Sequence, residues 1–225
     1  MSQLHYDTVT PQLRRILSEL MEEPLLAPFS LAGGTSLSLR MGHRLSVDID
    51  LFTNAPYGSI DFEPIEEFLR NKYLYFYCTD LTGIVGMGRT YYVGYSEEDS
   101  IKVDMFYHDD ITEPCDLIDG IRLVTRDDVT AMKIDVVQRK GRKKDFWDLH
   151  ELLNHYSIEE MIRLHEVRQP WSHERGTIIE NLTDFSLADA MPDPMCYRNK
   201  DWGIIKRTFS ELADSIPSDT ASDPV

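Results

Sequence analysis

Apolar residues first recur at helical spacing at Leu13, Ile16, Leu17 and Leu20, behind a start at Thr8 or Thr10 and Pro11, predicting a helix to about Met21 that Pro24 and Pro28 close. A short strand over 29–32 follows, ending at Gly33-Gly34, then one or two helical turns over 36–41 ended by Gly42. Residues 47–52 alternate: Val47, Ile49 and Leu51 point one way, Asp48, Asp50 and Phe52 the other. Asp61 opens a helix through about Lys72, with Ile65, Phe68 and Leu69 inward. The tyrosine-, valine- and glycine-rich run beyond it predicts antiparallel strands near 74–80, 83–95 and 100–107, and a further one near 121–124. Thr125 to Asp128 caps a helix over 129–139, Gly141 breaks it, and a second helix runs over 144–154. Helical spacing returns over 157–166, 174–182 and 201–215.

The sum is an α+β fold: a mixed or antiparallel sheet with flanking helices over 1–124, a helical domain over 125–215, and a frayed tail over 216–225. A hydrophobic share of 42% supports a real core. No stretch approaches the ~20 apolar residues of a membrane span. The N-terminus lacks a basic region followed by an apolar one, so the expected location is cytoplasmic, with no membrane partner. Three separated cysteines, Cys78, Cys115 and Cys196, suit neither a disulfide framework nor a thiolate metal site, and the histidines show no HxxxH or HExxH spacing. The net charge of −16 excludes a general nucleic-acid footprint, so any such contact must be local. The segment Arg139, Lys140, Arg142, Lys143, Lys144 is the local candidate; a solvated loop explains it equally well.

Candidate chemistry concentrates between Leu31 and Thr53. Asp48 and Asp50 on one strand face would have Cα atoms about 6.6 Å apart. Carboxylates that close repel unless a cation sits between them, and hard oxygens on a rigid strand suit Mg²⁺ completed by substrate phosphates. A solvated outer face is the plain alternative. Asp104, outward on 100–107 with Lys102 and Phe106, would complete a trio if its strand lies beside Asp48 and Asp50. Gly33-Gly34, followed by Thr35 and Ser36, can offer backbone N–H groups and hydroxyls to phosphate; it matches neither a dinucleotide fingerprint nor a P-loop.

Two polar residues fall on apolar helix faces. Lys133 lies in the stripe of Val129, Met132, Val136 and Val137, with Asp135 on the far side. Asp145 lies in the stripe of Phe146, Leu149, Leu152 and Leu153, with Asp148 at its border. Lys133 would meet an anion such as a nucleotide phosphate, and Asp145 would orient it or accept a proton; a Lys133–Asp145 structural ion pair is the rival reading.

With GGTSLSLRMGHRLSVDIDLF, Val103-Asp104 and RDDVTAMKIDVVQRKGRKKDFWDLHELL in view, the chain resembles the nucleotidyl transferase AbiEii/AbiGii toxin family, of the polymerase-beta-type nucleotidyltransferases. The resemblance implies a nucleotidyltransferase-like fold. It also implies an Mg²⁺- or Mn²⁺-dependent enzyme moving NMP from an NTP to an acceptor, such as tRNA or protein. The setting it implies is the toxin of a toxin–antitoxin or phage-defence pair with a cognate antitoxin. It assigns Gly33, Gly34, Thr35 and Ser36 to nucleotide phosphates, Asp48, Asp50 and Asp104 to metal and catalysis, Lys133 to the nucleotide and Asp145 to catalysis. A nucleotide-binding module without transfer activity, and a kinase-like phosphoryl transferase, are the alternatives.

Overall fold

The computed structural model describes residues 3–79, 86–108, 111 and 115–216. Residue 80 of the first expected tyrosine-rich strand, 83–85 of the second and 217–225 of the expected tail lie outside the described residues. The chain divides into two compact units, Met1–Val129 and Thr130–Val225.

The first unit is built on a mixed sheet of seven strands, β1 (Ser30–Leu31), β2 (Ile49–Thr53), β3 (Tyr75–Cys78), β4 (Gly88–Gly94), β5 (Ser100–Tyr107), β6 (Asp116–Ile118) and β7 (Ile121–Leu123), in the order β3-β4-β5-β2-β1-β7-β6. Strands β2 and β5 are parallel, as are β1 and β7; the other neighbours are antiparallel. Helix α1 (Pro11–Glu22) starts where Thr10 Oγ1 accepts from Leu13 N at 3.1 Å. Helix α3 (Phe62–Lys72) starts where Asp61 Oδ1 accepts from Glu63 N at 3.1 Å. Their apolar stripes, Leu13, Ile16, Leu17 and Leu20 with Phe62, Ile65 and Leu69, form one core with the alternate residues Ile49, Leu51, Tyr91, Val93, Val103 and Met105 of the sheet. Each fully buried aliphatic side chain stabilises by roughly 1.5–3 kcal/mol. That single core commits one sheet face to packing and turns the polar positions of β2 and β5 to the other.

One side chain closes a corner that periodicity does not reveal. Arg122 on β7 donates to the carbonyls of Phe29, Met21 and Leu26, each at 2.9 Å, satisfying backbone acceptors where α1 ends and β1 begins.

The second unit is helical. It receives most of α4 (Arg126–Gln138) and continues through α5 (Lys143–Leu152), α6 (Ile158–Arg168), α7 (Arg175–Asn181), α8 (Ser186–Asp189) and α9 (Trp202–Ser215). Phe146 is its aromatic centre, with ring centroids of Phe185, Trp202 and Phe209 at 5.2, 5.8 and 5.6 Å. Gln138 ties the end of α4 to the loop before α7: its Nε2 donates to Ser172 O at 2.7 Å and its Oε1 accepts from Glu174 N at 2.9 Å.

Several elements differ from expectation. Strand β2 starts at Ile49 rather than 47, and Val47 is 51% exposed instead of inward. The reason is pairing: β2 joins β5 only from Ile49↔Val103, while Ser46 is tied back to the N-terminal segment through Ser46 N to Thr8 O, 2.8 Å. Gly33 and Gly34 are the first residues of helix α2 (Gly33–Met41), not a turn before it. Helix α4 is buried on more than one stripe: Ile134 and Asp135 are buried, Asp135 through its pair with Arg139, while Val136 is half-exposed. Helix α8 and strand β6 were not expected, being too short for a period to show.

Candidate active site

The polar face of the first unit gathers its charged residues through strand register. Parallel pairing sets Asp50 of β2 directly opposite Asp104 of β5, with Phe52 opposite Phe106 one pleat on. Adjacent strands lie about 4.8 Å apart, so the two carboxylates are side-by-side neighbours on one face. Antiparallel pairing of β4 with β5 puts Thr90 opposite Asp104 from the other side, and Thr90 Oγ1 donates to Asp104 Oδ1 at 2.7 Å. Lys102, two residues along β5 on the same face, gives its ammonium to Asp104 Oδ2. Burial draws the Lys102 pKa down, but the hydrogen bond and charge of Asp104, then the charges of Asp50 and Asp48, outweigh it and leave the ammonium more basic than usual. Of the three carboxylates, Asp104 holds the Lys102 ammonium directly, while Asp50 and Asp48 reach it only through their charge.

Helix α2 enters this face end-on. Gly33 has φ +63°, and a Cβ placed there would lie 2.1 Å from Asp50 Oδ2, so the Asp50 carboxylate occupies the space a side chain at 33 would fill. Asp50 O accepts from Ala32 N at 2.8 Å, fixing strand to helix start. Ala32, the residue before the helix, has no side-chain oxygen and makes no side-chain cap of α2. N–H groups at a helix start favour anions, the Asp50 carboxylate beside Gly33 among them. The hydroxyls beside them face inward. Thr35 Oγ1 meets Asp48 O and lies 2.8 Å from Ser46 Oγ, and Ser36 is fully buried.

Hard oxygen donors on neighbouring strands fit a divalent cation. Among the described residues no three His, Cys, Asp or Glu groups form a ready cation cage. Mg²⁺ usually takes one or two carboxylates and completes its shell with waters and substrate phosphates, so a carboxylate pair beside an anion-seeking helix start suits it.

In the second unit Lys133 and Asp145 do meet. Lys133 Nζ lies 2.7 Å from Asp145 Oδ1 and 2.7 Å from Asp148 Oδ2, and both carboxylates are fully buried. Asp145 Oδ2 also accepts from the Arg142 backbone N at 3.1 Å and from its Nε at 3.0 Å. Burial pushes the Asp145 carboxyl up, while Lys133 and Arg142 more than offset it and hold it below the usual carboxylate range. The basic segment is likewise engaged: Arg139 pairs with Asp135, Lys140 with Asp184 at 2.9 Å, and Lys143 with Asp193 at 2.9 Å.

Sequence reasoning missed what Thr90, Lys102 and Asp148 do. Lys102 was legible, since residues two apart on a strand share a face; Thr90 needed the register, and Asp148 needed the side-chain direction on α5.

The nucleotidyl transferase AbiEii toxin, type IV TA system, family model matches residues 15–223. An uncharacterised protein of Aquifex aeolicus (strain VF5) is 30% identical over 148 residues; the match covers 62% of this chain, which spans 65% of the length of that curated relative. Among solved structures, JHP933 from Helicobacter pylori superposes with a TM-score of 0.58 at 18% identity, covering 90% of this chain and 88% of that one. MenT4, a nucleotidyltransferase toxin from Mycobacterium tuberculosis H37Rv, superposes with a TM-score of 0.58 at 17% identity, covering 92% and 84%. At these identities the structural likeness is one of fold.

Proposed function

We propose that this chain, which belongs to the nucleotidyl transferase AbiEii toxin family, moves a nucleoside monophosphate from an NTP to an acceptor hydroxyl and acts as the toxin of a toxin–antitoxin pair. The observation that carries the reading is the register of Asp50 against Asp104 beside the start of α2, where Gly33 leaves room for the Asp50 carboxylate. Asp48, Asp50 and Asp104 would hold a divalent ion, Mg²⁺ or Mn²⁺, which when bound neutralises charge on the triphosphate and the leaving oxygens. The N–H groups of Gly33, Gly34 and Thr35 take phosphate oxygens. The acceptor oxygen bonds to the α-phosphorus, the bond between the α-phosphorus and its bridging oxygen breaks, and pyrophosphate leaves. The hydroxyl proton passes to a carboxylate of the Asp48, Asp50, Asp104 group.

Lys133 and Asp145 enter through the family resemblance, as the nucleotide-contacting lysine and its acidic partner. Asp145 carries three donor contacts and a depressed pKa, so it serves as an anchor for Lys133 better than as a base. RNA, including tRNA, is an acceptor class in this reading, reached through segment 139–144, whose cations would exchange aspartates for phosphates. A cognate antitoxin, a role in phage defence and a cytoplasmic site of action complete the proposal. Among the described residues no helix is long and apolar enough to cross a membrane.

Parallel incubations of total RNA and protein with NTP labelled in the α- or the γ-phosphate test it. Transfer of α-label is expected, falling on the order of a hundredfold or more in Asp48→Ala and Asp50→Ala with unchanged melting. Transfer of γ-label instead would make the chain a phosphoryl transferase. NTP binding with neither label moved would make it a binding module.

A further inference from the structure

Asp50 and Asp104, opposite one another on one sheet face with Asp48 just before the strand, repel one another, and something positive must offset them. In this chain a side chain does so. Lys102 Nζ pairs with Asp104 Oδ2, while Asp104 Oδ1 accepts from Thr90 Oγ1 at 2.7 Å, so both oxygens of the third carboxylate are engaged from within the sheet. In the β2–β5 register Asp50 is level with Asp104, two residues along β5 from Lys102, and Asp48 lies just before the first pair, Ile49↔Val103. The lysine thus stands in the same two-strand patch as Asp50 and Asp104. A divalent ion ligated by Asp104 needs a lone pair on that carboxylate, and Lys102 already holds one of its oxygens.

We propose that Lys102 is a built-in counter-cation of the carboxylate group: it holds Asp104 when no divalent ion is bound and yields Oδ2 when one arrives, and so sets the metal affinity of the site. The side chain is suited to exchange. It is 35% exposed, on the polar face of β5, so its ammonium can leave for water without disturbing the core face of Ile101, Val103 and Met105. An ammonium on a flexible four-carbon stem can also re-aim after displacement, which a guanidinium fork does less freely. Lys102 is therefore a positioning residue, acting through Asp104. The inference rests on the metal reading given under Proposed function.

Mn²⁺ titration of the nucleotide-free, full-length protein, followed by electron paramagnetic resonance, tests it. Removing a unit positive charge beside a divalent ion should tighten binding, so Lys102→Met is expected to bind Mn²⁺ on the order of tenfold more tightly than wild type. Lys102→Arg, which keeps the charge, should stay within about threefold of wild type. A merely structural lysine would give the opposite sign, since its loss would loosen the carboxylates. A second measurement needs no substitution: reductive methylation of wild-type Lys102, scored by mass spectrometry against exposed Lys72, should accelerate severalfold when Mn²⁺ is added. Equal or weaker Mn²⁺ binding by Lys102→Met, or methylation indifferent to Mn²⁺, overturns the role and leaves the transfer reading to the α-label assay. Failure of every variant to bind Mn²⁺ overturns both the role and the metal half of that reading.

Discussion

An alanine methyl at position 33 would lie 2.1 Å from Asp50 Oδ2, on a backbone whose φ of +63° side chains avoid. The left-handed conformation alone costs a non-glycine residue about 1–2 kcal/mol. The larger consequence is chemical, because the carboxylate that must hold a cation is also the group that has to move. Gly33→Ala should therefore lower the urea midpoint modestly, by no more than about 3 kcal/mol in stability, while cutting α-label transfer on the order of a hundredfold. Transfer within threefold of wild type would mean that the Gly33–Asp50 contact is only packing. Lys133 raises a different issue at the same scale. It faces two buried carboxylates, Asp145 and Asp148, and a buried ion pair is seldom a net source of stability, because desolvation offsets the attraction. Retaining the Lys133, Asp145 and Asp148 group costs the fold something an apolar trio of similar volume would not, whereas a leucine at 133 alone would strand two buried carboxylates at a cost of about 3–5 kcal/mol.

At the scale of elements, α5 carries its charges in a way that makes the helical unit sensitive to acid. His150 lies 2.8 Å from Lys200 Nζ, and burial together with the Lys200 charge pushes its pKa down to about 4. Above pH 6.5 neither the folded nor the unfolded chain protonates this ring appreciably; between 6.5 and about 4 the unfolded chain takes a proton that the folded one refuses. Stability must fall as pH drops through that window. Asp145, with its depressed pKa, adds a loss lower still, as acid discharges the carboxylate that Lys133 and Arg142 hold. Urea midpoints followed by circular dichroism should decline from pH 6.5 downward, and His150→Gln should flatten the upper part of that decline. An identical pH profile in the variant would remove His150 from the account.

The same scale shows what periodicity could reveal. Helix α1 was legible because a clean apolar stripe fixes one face and Pro11 brings its start down to Thr8 or Thr10, of which Thr10 is the cap. Strand β5 was legible because strict alternation separates Val103 from Asp104. Helix α4 was misread in part, since a helix buried on several sides has no single stripe, and Asp135 then hides among residues whose spacing says solvent. The neighbouring of β2 and β5 was a condition that sequence could pose and only the register could answer.

Across the whole molecule the net charge of −16 sets how an acidic protein meets an acidic acceptor. Arg139, Lys140, Arg142 and Lys144 are the basic-segment cations outside the buried Lys143, so at most four phosphates are neutralised there. At roughly 0.7 per phosphate for a single strand, the slope of log affinity against log salt should be no steeper than about −3 in filter-binding assays. A slope near −6 would point to an RNA surface elsewhere.

Arg122 bears on how the chain is made. It reaches back to Met21, Leu26 and Phe29, residues synthesised roughly a hundred positions earlier, and β1 finds its second neighbour only when Leu123 exists. A ribosome that has completed β2 and β5 has therefore already released all three carboxylate-bearing residues, while the carbonyls at the end of α1 still lack their donor. Lys133 and Asp145 emerge later again. For a protein whose finished form is proposed to poison its host, this order of assembly means that a chain cut off before Asp145 already carries its strand carboxylates yet lacks part of the proposed site.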